Sequence, residues 1–234
     1  MTRPVRRNAI EPGGLRALFA SRILVLSLSA MLPSAFGAEP TARDLAAGNP
    51  PLARLQVEIW PEYDRASAAL VILRGELAAE VPLPASVSLR IPAASGGPSA
   101  VAYSTAAGGN LLSLKYDRRD ARGFIALKFH TPERFIQIEF YDPLAITGSD
   151  RSYSYVWTGE LAAERLSVIL QEPAAASDLS VQPVLDAAGL GQDGLRYRSA
   201  ELGAFRAGKR LDVKVRYAKT DPRTSLEIVK PESL

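Results

Sequence analysis

The sequence predicts an all-β protein: two tandem, closely packed β-sandwich units of immunoglobulin-like kind, arising from an internal duplication. Three observations carry this. Short runs rich in Val, Ile, Leu and aromatics recur about every ten residues, with Pro, Gly and Asp between them. The central run Phe135–Tyr141 alternates, with Phe135, Gln137, Glu139 and Tyr141 on one side and Ile136, Ile138 and Phe140 on the other, the period of a half-buried strand. The hexamer Gly75–Glu80 (GELAAE) recurs letter for letter at Gly159–Glu164.

Residues 1–37 read as a secretory signal. Arg3, Arg6, Arg7, Arg16 and Arg22 form a basic stretch, Ile23–Leu32 is a short apolar run, and Ala35 and Gly37 suit cleavage after Gly37. The apolar run is too short to span a bilayer, and no other run reaches that length. The segment holds five of the 28 basic residues and one of the 25 acidic residues, so its removal leaves 23 basic against 24 acidic. The basic isoelectric point of about 9.2 therefore belongs to the signal. A near-neutral remainder gives no electrostatic reason to expect nucleic acid as a partner. There is no cysteine, which excludes disulfides, thiolate metal sites and a Cys nucleophile.

Ala38–Arg54, rich in Ala, Pro and small polar residues, is predicted as a flexible leader. The first sandwich, residues 55–131, is predicted from strands at 55–60, 68–74, 86–91, 100–104, 111–116 and 123–129, with a turn at Ala106–Asn110. Thr131-Pro132 ends it. The second, residues 135–229, takes strands at 135–141, 152–158, 165–170, 179–182, 195–198 and 211–217. Ser225–Val229 is predicted as a further edge strand and Leu161–Leu166 as one short helical turn. The order of features supports duplication beyond the hexamer: VEIWPEYD (57–64) parallels IQIEFYDP (136–143), and SVSLRIPAAS (86–95) parallels LSVILQEPAAAS (166–177).

The motifs Trp60-Pro61-Glu62-Tyr63-Asp64, Leu70-Val71-Ile72, Arg74-Gly75-Glu76-Leu77 and Leu83-Pro84 resemble those of a group of exported prokaryotic β-sandwich proteins, loosely placed with carboxypeptidase regulatory-like domains. The resemblance covers most of the chain after the signal and includes Glu139-Phe140-Tyr141-Asp142. It implies an all-β exported protein and brings no catalytic residues with it.

Few constellations suggest chemistry. His130 is the only histidine, there is no G-x-S-x-G elbow, and one histidine cannot build a multi-histidine zinc site. Glu58, Glu62 and Asp64 cluster around Trp60 and Tyr63, and Glu139 and Asp142 hold the analogous places; two facing carboxylates would suit a glycosidase, whereas charge at a strand end needs no function. Asp117, Asp120 and Asp150 are acidic but form no calcium loop. Tyr153, Tyr155 and Trp157 share one strand face, predicted as core, with a sugar-stacking platform as the alternative. Neither a phosphate-cradling glycine loop nor an Arg/aromatic array for RNA is present.

The sequence thus points to a periplasmic or secreted, non-catalytic interaction or accessory module of the cell envelope, without cofactor or metal, binding an envelope protein. A carbohydrate-binding module recognising polysaccharide is the alternative, and a hydrolase using paired carboxylates is the second. The residues assigned to partner contact are Trp60, Glu62, Tyr63, Asp64, Tyr141, Asp142 and Trp157.

Overall fold

The computed structural model describes residues 48–229. The predicted signal and residues 38–47 of the predicted leader lie outside these. The fold is all-β, as predicted. Its strands are β1 Leu52–Pro61, β2 Ala68–Leu77, β3 Ala85–Pro92, β4 Ala100–Ser104, β5 Leu112–Ser113, β6 Tyr116–Ala121, β7 Phe124–Thr131, β8 Phe135–Pro143, β9 Ala145–Thr147, β10 Asp150–Trp157, β11 Ala163–Gln171, β12 Ser177–Gln182, β13 Asp186–Leu190, β14 Arg196–Phe205 and β15 Leu211–Ala218. One short helix, α1 (Ser225–Ile228), follows. No helix among the described residues is long and apolar enough to cross a membrane.

Three sheets share one core. The largest has eight strands in the order β13-β14-β11-β1-β2-β8-β4-β5, the second runs β12-β15-β10-β9, and the third runs β3-β7-β6. Alternation explains how they pack. Leu55, Val57 and Ile59 of β1, Val71 and Leu73 of β2, Ile136, Ile138 and Phe140 of β8, and Leu166, Val168 and Leu170 of β11 all turn to the inner face of the large sheet. They meet Val87, Leu89 and Ile91 of β3, Ile125, Leu127 and Phe129 of β7, the Tyr153–Trp157 row of β10, and Val213, Val215 and Tyr217 of β15 in a single hydrophobic cluster. Phe140 and Tyr155 touch across the layers, with ring centroids 6.2 Å apart.

The two halves of the chain interleave in the large sheet. Within it β1 and β11 run parallel and register Val57 with Val168, while β8 inserts between β2 and β4. The pairing does not repeat as a duplication would: β1 pairs with β2, yet their expected counterparts β8 and β10 lie in different sheets. The shared hexamer also diverges. Gly75–Leu77 continues β2, whereas Gly159 sits in a loop at φ 76°, Glu160 is fully buried, and a strand begins only at Ala163. Gly159 has no room for a side chain, since a Cβ there would lie 2.8 Å from Lys209 N and nearer still to the Lys209 carbonyl. Gly159→Ala combines that clash with a left-handed backbone and is expected to cost more than about 1 kcal/mol in a urea-unfolding experiment. A loss within error would show that the loop simply shifts.

Other elements differ in detail from the prediction. β1 starts three residues before Leu55, with Leu52 fully buried, and Asn49 donates to the carbonyls of Ser88 and Glu160, so the end of the predicted leader belongs to the fold. Ser225–Val229 is not an edge strand. Thr224 and Glu227 form a reciprocal capping box that starts α1 instead. Leu161–Leu166 is not helical, because Ala163 onward pairs with β1. β6, β9 and β13 had no apolar alternation to reveal them: β9 and β13 are exposed throughout and β6 nearly so.

Candidate functional site

The outer face of the large sheet, opposite the core, has no further sheet over it among the described residues. Its side chains follow from the register. Gln56, Arg74 and Gln137 lie in one cross-strand row, Glu58, Ile72 and Glu139 in the next, and Trp60, Leu70 and Tyr141 in the third. The first two rows form a polar ladder. Gln56 Nε2 and Arg74 Nε both donate to Glu58 Oε1, at 2.7 and 2.5 Å, Arg74 Nη1 donates to Gln137, and Gln137 donates to Glu139. Glu58 is thereby 5 % exposed yet paired. Beyond the ladder, under the loop after β4, lies a cleft of about 150 Å³ lined by Arg54, Arg74, Phe135 and Gln137.

The third row begins an aromatic end. Trp60 packs edge-on against Tyr63, with centroids 4.7 Å apart and planes at 73°, and against Tyr197, at 6.0 Å and 70°. Tyr141 lies beyond Leu70. Each outer tyrosine is pinned: the Tyr141 hydroxyl donates to Asp64 Oδ2 at 2.7 Å, and the Tyr197 hydroxyl to Asp193 Oδ2 at 2.6 Å. The Arg65 guanidinium covers the Tyr141 ring at 3.7 Å. Burial and the hydrogen bond to Asp64 push the Tyr141 hydroxyl up to about 12. Burial, and then Asp193 and Asp64, raise Tyr63. The four rings are half-buried, and Asp64, Arg65 and Asp193 are exposed.

No protein-family model matches the chain, and neither does any curated protein. Among solved structures, the Fcho1 Mu homology domain of Danio rerio with bound Eps15 peptide aligns at 10 % identity. The alignment covers 74 % of this chain and 82 % of that chain, with a TM-score of 0.26. A superposition that loose carries no functional argument.

Of the seven residues assigned to contact from sequence, the structure brings four, Trp60, Tyr63, Asp64 and Tyr141, to this one surface. The other three lie beneath it or in the core. Glu62, at φ 47°, turns back under the sheet, where it accepts the Tyr217 hydroxyl at 2.9 Å and faces Lys219 Nζ at 3.4 Å and Arg151 Nε at 3.6 Å. Asp142 is buried and accepts the Tyr153 hydroxyl at 3.1 Å. Trp157 is 1 % exposed, and with Tyr153 and Tyr155 it forms core, not a platform. The carboxylate pairs do not face one another: Glu58 and Glu139 point outward, while Glu62 and Asp142 are held inward by tyrosines of β15 and β10. The two-carboxylate geometry of a glycosidase is therefore not formed by these residues. His130 is exposed on β7. Among the described residues, no three His, Asp or Glu side chains are grouped to hold a metal ion.

Burial raises the Asp142 carboxyl above its ordinary value of 3.8, and the bond from Tyr153 only partly opposes this. A carboxyl whose folded value is raised favours the fold at low pH, and that contribution fades as pH climbs from the unfolded value through the folded one. Asp142→Asn, which keeps an acceptor for Tyr153, is expected to match the wild type near pH 3 and to melt higher than it at pH 7. Equal deficits at both pH values would mean that the charge of Asp142 is not what matters.

Tyr197 and Asp193 were missed from sequence. Nothing local marks them, since Tyr197 reaches Trp60 only through the pairing of β1 with β11 and of β11 with β14.

Proposed function

We propose that this chain is an exported, non-catalytic interaction module of the cell envelope. It binds a protein partner through the aromatic end of the outer face of its large sheet. The carrying observation is the cluster Trp60, Tyr63 and Tyr197 with Tyr141 alongside, half-buried on a face that no further sheet covers among the described residues. Tyrosine and tryptophan dominate binding hot spots because they offer large contact area for few rotatable bonds. Here the tyrosine hydroxyls of Tyr141 and Tyr197 are already fixed, so ordering these rings on binding costs little more. The loops after β1 and β8, which lie at this end, are tied together by Leu144 N donating to Ser67 O at 3.0 Å. Export is supported by the basic stretch and apolar run of residues 3–32.

Polysaccharide is the weaker reading. A flat stacking platform for an extended glycan lays its ring faces in a common plane, and the rings around Trp60 stand at 70° and 73° to it. The test is capture from solubilised envelope by the immobilised chain, with protein and glycan both analysed. A defined protein should be retained by the wild type and by Arg119→Ala on distant β6, and lost with Trp60→Ala or Tyr197→Ala. Retained glycan that depends on Trp60 would shift the reading to carbohydrate binding. Retention indifferent to both aromatic changes would remove this face from the function.

A further inference from the structure

We propose that the aromatic end recognises a basic, extended segment of the partner, seating an arginine or lysine side chain against Trp60, Tyr63 and Tyr197 with its charge toward Asp64 and Asp193. This rests on the reading of that face as the binding face and names the chemistry of what it binds. Charge balance is the first argument. Glu58, Asp64, Glu139, Asp186 and Asp193 surround or share the outer rows of this end, against Arg65 and Arg74. Both arginines are already engaged, Arg74 by Glu58 and Gln137 and Arg65 by the Tyr141 ring. The uncompensated charge is therefore negative, and it sits at the rim, where it steers a cation inward.

The rings supply the second argument. An aromatic face attracts a cation through its quadrupole, and the attraction grows as water is excluded. The molecule already displays this pairing once, with the Arg65 guanidinium 3.7 Å from the Tyr141 centroid. The Trp60–Tyr63–Tyr197 group repeats the ingredients, half-buried rings beside a carboxylate, without a cation of its own among the described residues. Burial first, and then Asp193 and Asp64, hold back the ionisation of the Tyr63 hydroxyl. An acidic ligand would meet repulsion on the same surface, which gives the site a sign as well as a shape.

Synthetic peptides test this on the purified chain. A Gly/Ser decapeptide carrying two arginines is compared with the same peptide carrying two glutamates or two alanines. Binding is followed by the fluorescence of Trp60, with buried Trp157 as a constant background. The arginine peptide should bind about tenfold or more tighter than the glutamate peptide, and added salt should erode the difference. The double substitution Asp64→Asn with Asp193→Asn, which preserves acceptors for both tyrosines, should abolish the preference without changing the melting temperature. Equal binding of the arginine and glutamate peptides, or a preference for the acidic one, overturns the proposal. If the envelope partner is still captured through Trp60 while peptides show no preference for charge, the cationic ligand falls and the binding face stands. If no peptide perturbs Trp60 and Trp60→Ala leaves partner capture intact, both fall.

Discussion

Glu62→Ala is expected to lower the unfolding free energy by about 3–5 kcal/mol, because it leaves buried positive charge without its anion. Lys219 is fully buried, and among the described residues its ammonium donates to the Arg223 carbonyl at 2.6 Å and pairs with Glu62 at 3.4 Å. Arg151 stands on the other side of the same carboxylate, and its Nε has no hydrogen-bond partner. Tyr217 would lose the acceptor for a hydroxyl that burial, with Glu62 beside it, holds protonated well above the tyrosine range. Glu62→Gln keeps an acceptor and removes only the charge, so it should cost less. Urea unfolding of the two variants orders them. A loss under about 1 kcal/mol for the alanine variant would mean that water reaches Lys219 and that the cluster is not truly dry.

That cluster also shows how far the sequence could be read. The alternation of β8, the core face of β10 and the all-β class were all legible, because each depends on a period within one strand. The sequence reading puts Glu62 in the right neighbourhood but on the outer side, and the structure holds it beneath the sheet. A residue following Trp60 by two positions shares its face if the strand continues, but the chain leaves β1 at Pro61 and Glu62 turns over at positive φ. The turn was visible in Pro61; its handedness was not. For Asp142 the reason is simpler. Alternation from Glu139 already sends it inward, and only its charge argued for the surface.

The strand pairing does not confirm the duplication that the repeated hexamer suggests. Identical letters at Gly75–Glu80 and Gly159–Glu164 buried a leucine in both places, Leu77 and Leu161. They did not give the same backbone, since the first copy continues a strand already paired on both sides and the second must leave β10 for another sheet. Local sequence does not encode which edge a strand will find, so the interleaving of the halves and the meeting of Trp60 with Tyr197 were out of reach.

Trp157→Ala carries the other large expected effect, again about 3–5 kcal/mol, which for a domain of this size is a fall of roughly 6–20 °C in melting temperature. Trp157 closes β10 opposite Leu211 and is among the largest fully buried side chains. Truncation there opens a cavity that three sheets meeting in one core cannot collapse to fill. Trp157→Phe separates packing from hydrogen bonding. The indole Nε1 is buried with no acceptor, so phenylalanine removes an unsatisfied donor while keeping most of the ring. It should cost far less than alanine, and neither change should touch binding at the outer face unless the fold is lost. Alanine within about 2 °C of wild type would show that Trp157 is not part of the core. A Trp157→Phe chain that folds but no longer binds would move the site to the β10 face and away from Trp60.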